Sequence, residues 1–485
     1  MTTLDPRPRA RTQQSPSGRG TSGRAPSGRA PSGRGPSGSV GPATGSSAVG
    51  LTGRGAAGVG AAGPAPEVSW VPRPLRRWTD ALDTPVTSFV LVSSATGLLL
   101  VFGLLMVLSS SSVESYATAG NPWAIAGRQI MFAAIGLPLL LVAARLPVLW
   151  WKRLAWPALF GALFLQCLVF VPGLGFEVNG NRNWIRLAGF TAQPSEAIKL
   201  ALVVWAAAVL ARKRDLLGSL AHVLVPVVLP VGAIALGLVL AGHDLGTALV
   251  ILLTLAGLLF AAGTPLRYFV LGGGVALAGV AALVLQEQHR VTRIQAWLSG
   301  QQCTDIYGEC WQPVHGMWAL ASGGWWGLGL GASREKWAWL PEAHNDFIFA
   351  IVGEELGLPG TLSVLLLFVA LAVGMVRVAQ RTVDPFVAIA TTGVMVWVLG
   401  QALINIGVVI GVLPVVGVPL PLVSSGGSSL VVTMVALGMV MSFARAEPGA
   451  REALGTSARA ARSGAAVVAD VRLPRARVSP ARPRR

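Results

Sequence analysis

Long apolar runs alternate with short polar segments through the middle of the chain, between residues 86 and 444. About 20 consecutive apolar residues let an α-helix cross the ~30 Å hydrocarbon core of a bilayer. The pattern therefore predicts an all-α integral membrane protein with about ten transmembrane helices. The predicted spans are residues 86–108, 127–144, 155–173, 195–211, 222–241, 246–263, 268–286, 347–376, 386–408 and 426–444. The run at 347–376 is too long for one straight crossing, so its first turns are expected to line a protein cavity.

Two polar tails flank the apolar region. Residues 16–35 repeat a five-residue unit four times, and both tails are rich in small residues, Pro and Arg. Segments with little apolar surface to bury cannot offset the loss of backbone entropy. The predicted organisation is a disordered basic tail (1–85), a polytopic membrane domain (86–444) and a second disordered basic tail (445–485).

Positive charges in the short loops indicate the orientation of the spans. Lys and Arg concentrate in cytoplasmic loops, and here they occupy alternate loops near residues 145–153, 212–214, 267 and 377–381. With an even number of spans, both termini are predicted to be cytoplasmic. The segment 287–346, between the seventh and eighth spans, then forms one large extracytoplasmic loop.

Composition agrees with a membrane domain and changes the meaning of the charge. The 485 residues are 53% hydrophobic and 12% charged, whereas soluble domains usually carry about a quarter charged residues. The net charge is +17, and fourteen of these charges belong to the two tails. In the absence of a nucleic-acid-binding motif, this basicity indicates a membrane protein with no nucleic-acid partner. The three cysteines are too few for a disulfide-rich fold.

Charged residues inside a membrane are costly and are candidates for function. Glu196 and Lys199 lie three residues apart at the start of the fourth span, so they share a helix face. A structural ion pair and a site at the outer mouth both remain open for them. Asp244 precedes the sixth span, where it either caps the helix or has a proton, ion or substrate role.

The extracytoplasmic segments carry a mixture of cations, acids and aromatic rings. Residues 287–346 hold seven of the sixteen Trp. That mixture suits a site for an anionic, sugar-bearing amphiphile, or an aromatic belt at the membrane interface. Cys303 and Cys310 enclose Asp305 and Glu309, and a disulfide on this oxidising face would hold Asp305 in place. Two free thiols are the alternative.

Six motifs occur in order along the membrane domain and resemble the SEDS family, the shape, elongation, division and sporulation proteins. They are Asn179 to Ile185, Gln193 to Glu196 with Lys199, Asp244 to Thr247, Leu340 to Phe349, Gly353 to Gly357, and Gly417 to Pro421 followed by Ser424 and Gly426 to Ser429. The resemblance covers roughly residues 86–444. The family's usual Tyr before Gly-Gly-Ser-Ser is Ser425 here, which leaves any role for an aromatic hydroxyl unfilled.

The resemblance implies a peptidoglycan glycosyltransferase that polymerises lipid II, an undecaprenyl-diphosphate-linked disaccharide-peptide, on the outer face. It also implies a class B penicillin-binding protein as partner. In the family an acidic residue of the large outer loop is the proposed base. Asp305 is the best match for it and Glu309 the second choice, because the flanking sequence departs from the usual pattern.

The implied chemistry assigns roles to the remaining residues. A carboxylate can accept the proton of the attacking sugar hydroxyl, and cations can stabilise the departing diphosphate. No cofactor is certain, and a divalent cation (Mg or Mn) is a further candidate stabiliser. The predicted substrate-binding residues are Arg182, Trp184, Arg186, Gln193, Glu196, Lys199, Asp244, Arg293, Arg334, Lys336, His344, Asp346 and Ser424.

The long basic tails favour the division branch of the family over the elongation branch, since they could dock other division proteins in the cytoplasm. The predicted location is the cell membrane, at the division septum. Two alternatives remain. One is a lipid II flippase that uses Glu196, Lys199 and Asp244 as a transmembrane relay, and the other is a scaffold without catalytic activity.

Overall fold

The computed structural model describes residues 84–178, 180–187, 190–299, 308, 310–450 and 452–455. The two predicted tails lie almost entirely outside these residues, so their disorder stays a prediction. Twelve helices in the described part carry the fold. In chain order they are α1 (Thr87–Ala119), α2 (Ala124–Ala143), α3 (Val148–Cys167), α4 (Pro194–Lys213), α5 (Leu220–Ala241), α6 (Leu245–Ala261), α7 (Leu266–Leu285), α8 (Gln288–Ser299), α9 (Trp311–Gly323), α10 (Ile348–Arg381), α11 (Pro385–Val409) and α12 (Gly427–Arg445).

The predicted all-α membrane architecture is confirmed. Within the described residues, nine helices are long and apolar enough to cross a membrane. The helix α6 is also apolar but shorter, with 17 residues. Each of the ten predicted spans corresponds to one of these helices. The central helix is α4, in which 72% of the most apolar stretch is buried. By contrast, no residue of α7 is buried, so this helix presents its apolar surface to lipid on nearly every side.

A small antiparallel sheet between α3 and α4 was not predicted. It has the order β1 (Gly175–Val178), β2 (Asn181–Leu187), β3 (Phe190–Ala192). Gly180 has φ +81° between the first two strands, and it follows an Asn, the pair that favours a tight hairpin. The backbone N–H of Arg182 donates to the carbonyl of Gly242 at 3.0 Å. The sheet is thereby fixed to the end of α5.

The first helix is longer than its apolar run. It continues from the predicted end at residue 108 to Ala119, through a stretch that contains four consecutive serines. Ser109 is buried there and donates to both carboxylate oxygens of Glu355 in α10, at 2.7 and 2.6 Å. Partners on a distant helix therefore stabilise polar turns that hydropathy alone would end.

A break at Gly357 divides α10. This residue has φ +63° and ψ −156°, a conformation open to glycine because it has no Cβ. The carbonyls of Glu354 and Glu355 accept hydrogen bonds from the backbone N–H groups of Leu328 and Gly329, each at 2.9 Å. The expectation that α10 is not one straight crossing is thus met. Its first turns, however, are buried against protein and do not line the cavity described below, because α9 and the segment before α10 cover them.

Candidate functional site

A cavity of about 440 Å³ lies beside the sheet, at the N-terminal ends of α4 and α6 and next to the segments that precede α10 and α12. Residues from α7, α8 and α11 complete its wall. Seven of the predicted site residues line it: Trp184, Gln193, Glu196, Lys199, Asp244, Arg293 and Asp346. Acidic, basic and aromatic groups that are far apart in the sequence therefore meet in one place.

Asp244 ties three elements of the cavity wall together. Its Oδ1 accepts from the backbone N–H of Thr247 at 2.9 Å and caps α6. Its Oδ2 accepts from the side-chain amides of Asn183 in β2, at 2.7 Å, and of Gln193 before α4, at 3.0 Å. The cap interpretation therefore holds. A carboxylate that already accepts three hydrogen bonds acts mainly as a clamp.

Glu196 and Lys199 form a buried ion pair in the cavity wall, which we call the cavity pair. Lys199 Nζ lies 2.9 Å from Glu196 Oε1 and donates to Gln401 Oε1 at 3.0 Å. The ammonium also lies 5.1 Å from the centroid of the Trp397 ring, a favourable cation–π position. Glu196 Oε2 is buried without a hydrogen-bond partner among the described residues. One carboxylate oxygen of this pair is therefore buried in the cavity wall without a donor from the described part of the chain.

Asp346 contributes a carboxyl group of a different kind. It stands just before α10, where its backbone carbonyl accepts from Asn405 Nδ2 at 2.7 Å. Burial, with a smaller contribution from the neighbouring Glu342, raises the pKa of Asp346 to about 7, although His344 and Arg293 oppose this shift. A carboxyl with a pKa near the working pH is suited to acid–base chemistry.

The segment before α12 forms another wall. Ser425 and Gly426 of this segment line the cavity, together with Ser428 in the first turn of α12. Ser424, the predicted contact residue, faces inward: its hydroxyl donates to the carbonyl of Asn345 at 2.7 Å and accepts from the N–H of Leu420 at 2.7 Å. Ser424 therefore positions the wall and does not line the cavity.

Two predicted arginines of the sheet also lie outside the cavity lining. The Arg182 guanidinium donates to the carbonyl of Val169 at 3.2 Å. It therefore provides a hydrogen-bond partner for a backbone carbonyl just after the end of α3. Arg186 is exposed and lies 4.8 Å from the centroid of the Phe176 ring. Both side chains support the sheet that carries Trp184.

Residues 287–346 form the predicted large loop, which we call the outer segment. Three predicted site residues of this segment hold it in place and do not line the cavity. Lys336 is buried and donates to Glu355 Oε1 at 3.1 Å and to the carbonyl of Gly331 at 2.6 Å. Arg334 is exposed, and its backbone N–H donates to Glu354 Oε1 at 2.8 Å. His344 Nδ1 lies 3.0 Å from Glu114 Oε2, near the C-terminal end of α1.

Comparison with known proteins identifies the architecture. Residues 90–448 match the model of the FtsW/RodA/SpoVE cell cycle protein family. The chain belongs to this family. The "Probable peptidoglycan glycosyltransferase FtsW" of Mycobacterium bovis is 42% identical over 382 residues, which cover 79% of this chain and 72% of the relative. The resemblance to the SEDS proteins is therefore confirmed.

Solved structures share the fold of this FtsW/RodA/SpoVE chain. One, described as "Structural coordination of polymerization and crosslinking by a peptidoglycan synthase complex", aligns with a TM-score of 0.58 and 26% identity over 72% of this chain and 98% of that chain. The rod shape determining protein RodA of Thermus thermophilus aligns with a TM-score of 0.54 and 25% identity, over 74% of this chain and 96% of that chain.

The residues predicted to act as base lie outside the described part of this FtsW/RodA/SpoVE chain. They are Asp305 and the second choice, Glu309; Cys303, a predicted disulfide partner, also lies outside the described residues. Cys310 is in disulfide form, and its pairing with Cys303 stays a prediction. Arg293 and Ile294 line the cavity before this segment, and Gln312 lines it afterwards.

Several cavity residues were missed by sequence reasoning. Asn183, Arg290, Gln312 and Gln401 all line the cavity, and none was predicted as a site residue. Gln401 and Asn405 offered a usable signal, since two amides four residues apart in an otherwise apolar span point to one face of the helix. Arg290 offered another, one helical turn before Arg293.

Proposed function

We propose that this chain is a peptidoglycan glycosyltransferase of the division branch, which polymerises lipid II at the outer face of the cell membrane with Asp305 as general base. One observation carries the proposal. The cavity combines the cations Lys199, Arg290 and Arg293 with carboxyl groups, at the ends of helices that cross the membrane. The name of the M. bovis relative states the same activity, in agreement with the predicted enzyme class.

The reaction joins two sugars and releases a lipid diphosphate. The Asp305 carboxylate removes the proton of the GlcNAc 4-hydroxyl of one substrate as that oxygen attacks the anomeric carbon of the other. The bond from the anomeric carbon to the diphosphate oxygen breaks, and its electron pair leaves with undecaprenyl diphosphate. No nucleotide is consumed, because the diphosphate itself is the leaving group.

The cavity supplies positive charge where negative charge develops. Arg290 and Arg293 share one face of α8, next to His289, and all three line the cavity. Lys199 completes the positive side from α4. Preorganised cations stabilise a developing diphosphate far more than freely moving solvent does, because they need no reorganisation as the charge forms. This set replaces Arg182, Arg186, Arg334 and Lys336 as the proposed diphosphate contacts.

The apolar surroundings suit the lipid part of the substrate. Val280 and Val284 of α7 line the cavity, and the rest of that helix is exposed to the bilayer. A lipid tail can therefore remain in the membrane while the diphosphate and sugars enter the cavity. The basic short loops support the proposed orientation, with both tails in the cytoplasm.

A class B penicillin-binding protein is the proposed partner, and the septum is the proposed location. The solved structure of a peptidoglycan synthase complex, which polymerises and crosslinks, supports a partner of this class. The FtsW name of the M. bovis relative supports the division branch. The basic tails are proposed to dock other division proteins in the cytoplasm.

The described residues do not provide a metal site of their own. Among them, no three His, Cys, Asp or Glu side chains are grouped so that they could hold a metal ion. Asp244, one of the cavity carboxylates, already accepts three hydrogen bonds. No step is therefore derived through Mg or Mn. A requirement for such a cation stays a prediction, which addition of EDTA followed by Mg or Mn would measure.

Polymerisation of lipid II by the purified full-length chain with its partner tests the function. Asp305→Ala should lower the rate by about 10²- to 10⁴-fold, the usual contribution of a general base, whereas Glu309→Ala should retain activity. Asp215→Ala is the matched control, because Asp215 is exposed in the turn after α4, at the far end from the cavity. Equal elution in size-exclusion chromatography would show that each variant is folded.

The outcomes separate the alternatives. Normal polymer yield from Asp305→Ala would refute the base assignment, and loss of activity only in Glu309→Ala would transfer the role to that residue. Movement of lipid II across vesicles by the wild-type chain without any polymer would favour the flippase. Absence of both activities would favour the scaffold.

A further inference from the structure

Four aromatic rings cluster in the outer segment beside the cavity. The rings of Trp311 and Trp339 have centroids 6.1 Å apart and planes 17° apart. The His315 ring lies 4.5 Å from Trp311 and 6.0 Å from Trp339, and Trp318 meets it edge-on at 4.9 Å. We call these four residues the aromatic platform.

The platform is held rigidly by its own contacts. Glu335 Oε2 lies 2.6 Å from His315 Nδ1, and both side chains are largely buried. The indole N–H of Trp311 donates to the backbone carbonyl of Trp339. The rings are therefore oriented before any ligand arrives, which lowers the entropy cost of binding.

Much of the platform remains open. Trp318 and Trp339 are each 53% exposed, so both side chains keep about half of their surface free of contacts within the protein. A cluster of exposed aromatic surface of this kind marks a site of interaction. Its occupant must offer an apolar face that fits flat rings.

The platform lies at one end of a membrane-spanning helix. Met317, next to Trp318, abuts Gly411: a Cβ built on that glycine would be 3.4 Å from the Met317 sulfur. Gly411 comes two residues after the end of α11, whose 25 residues extend about 38 Å at 1.5 Å per residue. That length exceeds the ~30 Å of the hydrocarbon core. The helix is therefore long enough to carry the open rings past the hydrocarbon layer, as a site for a water-soluble polymer requires.

The platform is continuous with the cavity at both of its ends in the sequence. Gln312 directly follows Trp311 and lines the cavity. On the other side, Glu342 comes three residues after Trp339 and also lines the cavity. A polymer that leaves the cavity at this edge would meet the rings first.

We propose that the aromatic platform is a sugar-binding site on which the growing glycan strand lies as it leaves the cavity. This inference rests on the proposed function, which supplies the polymer. Pyranose rings present a face of C–H groups, and the face of an indole carries the partial negative charge that attracts them. The hydroxyl groups at the sugar edge stay in water. Binding of this kind holds a strand without fixing its position, so the strand can slide.

Strand length and oligomer binding test the platform in the full-length chain with its partner. Trp318→Ala and Trp339→Ala should each weaken binding of a purified, soluble peptidoglycan oligosaccharide by about two- to tenfold, the range expected for one aromatic contact. Glycan strands should become shorter, while the initial rate of lipid II consumption is retained. Trp339→Phe should keep most of the wild-type strand length, because it keeps a ring.

Trp326→Ala is the matched control. Trp326 is 84% exposed but lies outside the platform, near the break in α10. The proposal is overturned if strand length and oligosaccharide affinity are unchanged in both platform variants, or if Trp326→Ala has the same effect. Absence of any polymer from the wild-type chain would instead contradict the proposed function. Polymer of unaltered length in the platform variants would contradict the platform alone.

Discussion

Among the described residues, two buried Lys–Glu pairs look alike by distance and exposure. In the cavity pair, Lys199 Nζ lies 2.9 Å from Glu196, and the side chains are 2% and 3% exposed. In the second, which we call the loop lock, Lys336 Nζ lies 3.1 Å from Glu355, with side chains 4% and 0% exposed. The two pairs differ in what their remaining polar atoms do.

The loop lock is saturated. Ser109 of α1 donates to both oxygens of Glu355, and the backbone N–H of Ser333 adds a weaker contact at 3.4 Å. Lys336 also donates a hydrogen bond to the carbonyl of Gly331. This pair joins α1, α10 and the outer segment, and it leaves no oxygen for a ligand. Its contribution is to the fold.

The cavity pair is unsaturated. Glu196 Oε2 has no donor among the described residues, and both members of the pair line the cavity. Burial of a charged group that lacks a full set of partners is costly. The comparison shows that ion-pair distance and burial alone do not distinguish a structural pair from a functional one. The two pairs are distinguished by whether the second oxygen of the glutamate has a hydrogen-bond donor.

Removal of the lysine from the loop lock is expected to have the largest effect on stability. Lys336→Met leaves the Glu355 charge buried without its cation and should lower the free energy of unfolding by about 3–5 kcal/mol. Thermal unfolding in detergent measures the change. Lys152→Met is the control, because the Lys152–Asp384 pair has a shorter distance, 2.6 Å, but side chains 36% and 33% exposed. That variant should lose at most about 1 kcal/mol. Equal losses of unfolding free energy in the two variants would show that burial does not decide how much these ion pairs stabilise the fold.

Removal of the lysine from the cavity pair should act on activity more than on stability. Both members of the pair line the cavity, so in Lys199→Met a turn of the Glu196 side chain toward the cavity would let water reach the carboxylate. We therefore expect a smaller loss of unfolding free energy than in Lys336→Met. Loss of a preorganised cation should lower the rate of lipid II polymerisation by about 10²-fold. The measurement compares initial rates at matched amounts of folded protein. A variant with a normal rate and a large loss of stability would make this pair structural, like the loop lock.

Hydropathy was sufficient to predict the membrane architecture, because apolar length is a property of the local sequence. The boundaries were less accurate where distant partners extend a helix. The extra turns of α1 depend on Glu355, which is 246 residues away from Ser109. The strands of the outer sheet were missed because they are short, although the Asn-Gly turn was a signal for them.

The site was predictable where a charge or a motif marked it, and Asp244 and Lys199 do line the cavity. Prediction failed where side-chain direction decides the role. Arg182 and Ser424 also belong to family motifs, but their polar atoms bond to backbone groups of the protein. Composition and spacing contain no signal for that choice. The amides that complete the site, Asn183 and Gln401, carry no charge, so the charge pattern does not predict them as site residues.

Asp346 adds a titratable group to the cavity side of the comparison. Because its pKa in the folded chain is about 7, against 3.8 for the free side chain, the folded state holds its proton more tightly. Its contribution to stability is full below about pH 4 and is lost as the pH rises to about 7. Cavity water screens the carboxylate, so we expect the melting temperature to fall by about 2–4 °C over this range.

The Asp346→Asn variant isolates this group. Its melting temperature should lack the part of the pH dependence between pH 4 and 7 that the wild-type chain shows. Glu342→Gln is the companion variant: it removes a neighbouring negative charge that raises the pKa of Asp346, so the wild-type transition should move to lower pH. Identical profiles for the wild-type chain and Asp346→Asn would show that this carboxyl titrates normally.

The smallest expected effect concerns the hydrogen bond that supports the cavity pair from behind. Trp397 Nε1 donates to Gln401 Oε1 at 3.1 Å, and the same oxygen accepts from Lys199. Trp397→Phe removes this bond, whereas Trp205→Phe removes an equally buried indole whose N–H has no partner among the described residues. Both changes lose similar volume, so the difference between their unfolding free energies reports the lost bond together with a weaker cation–π contact to Lys199. It should be about 0.5–1.5 kcal/mol. Trp397→Phe should also slow polymerisation slightly, because Lys199 loses part of its support. If the two variants unfold alike, the indole N–H does not stabilise the cavity pair, and Gln401 alone holds Lys199 in place.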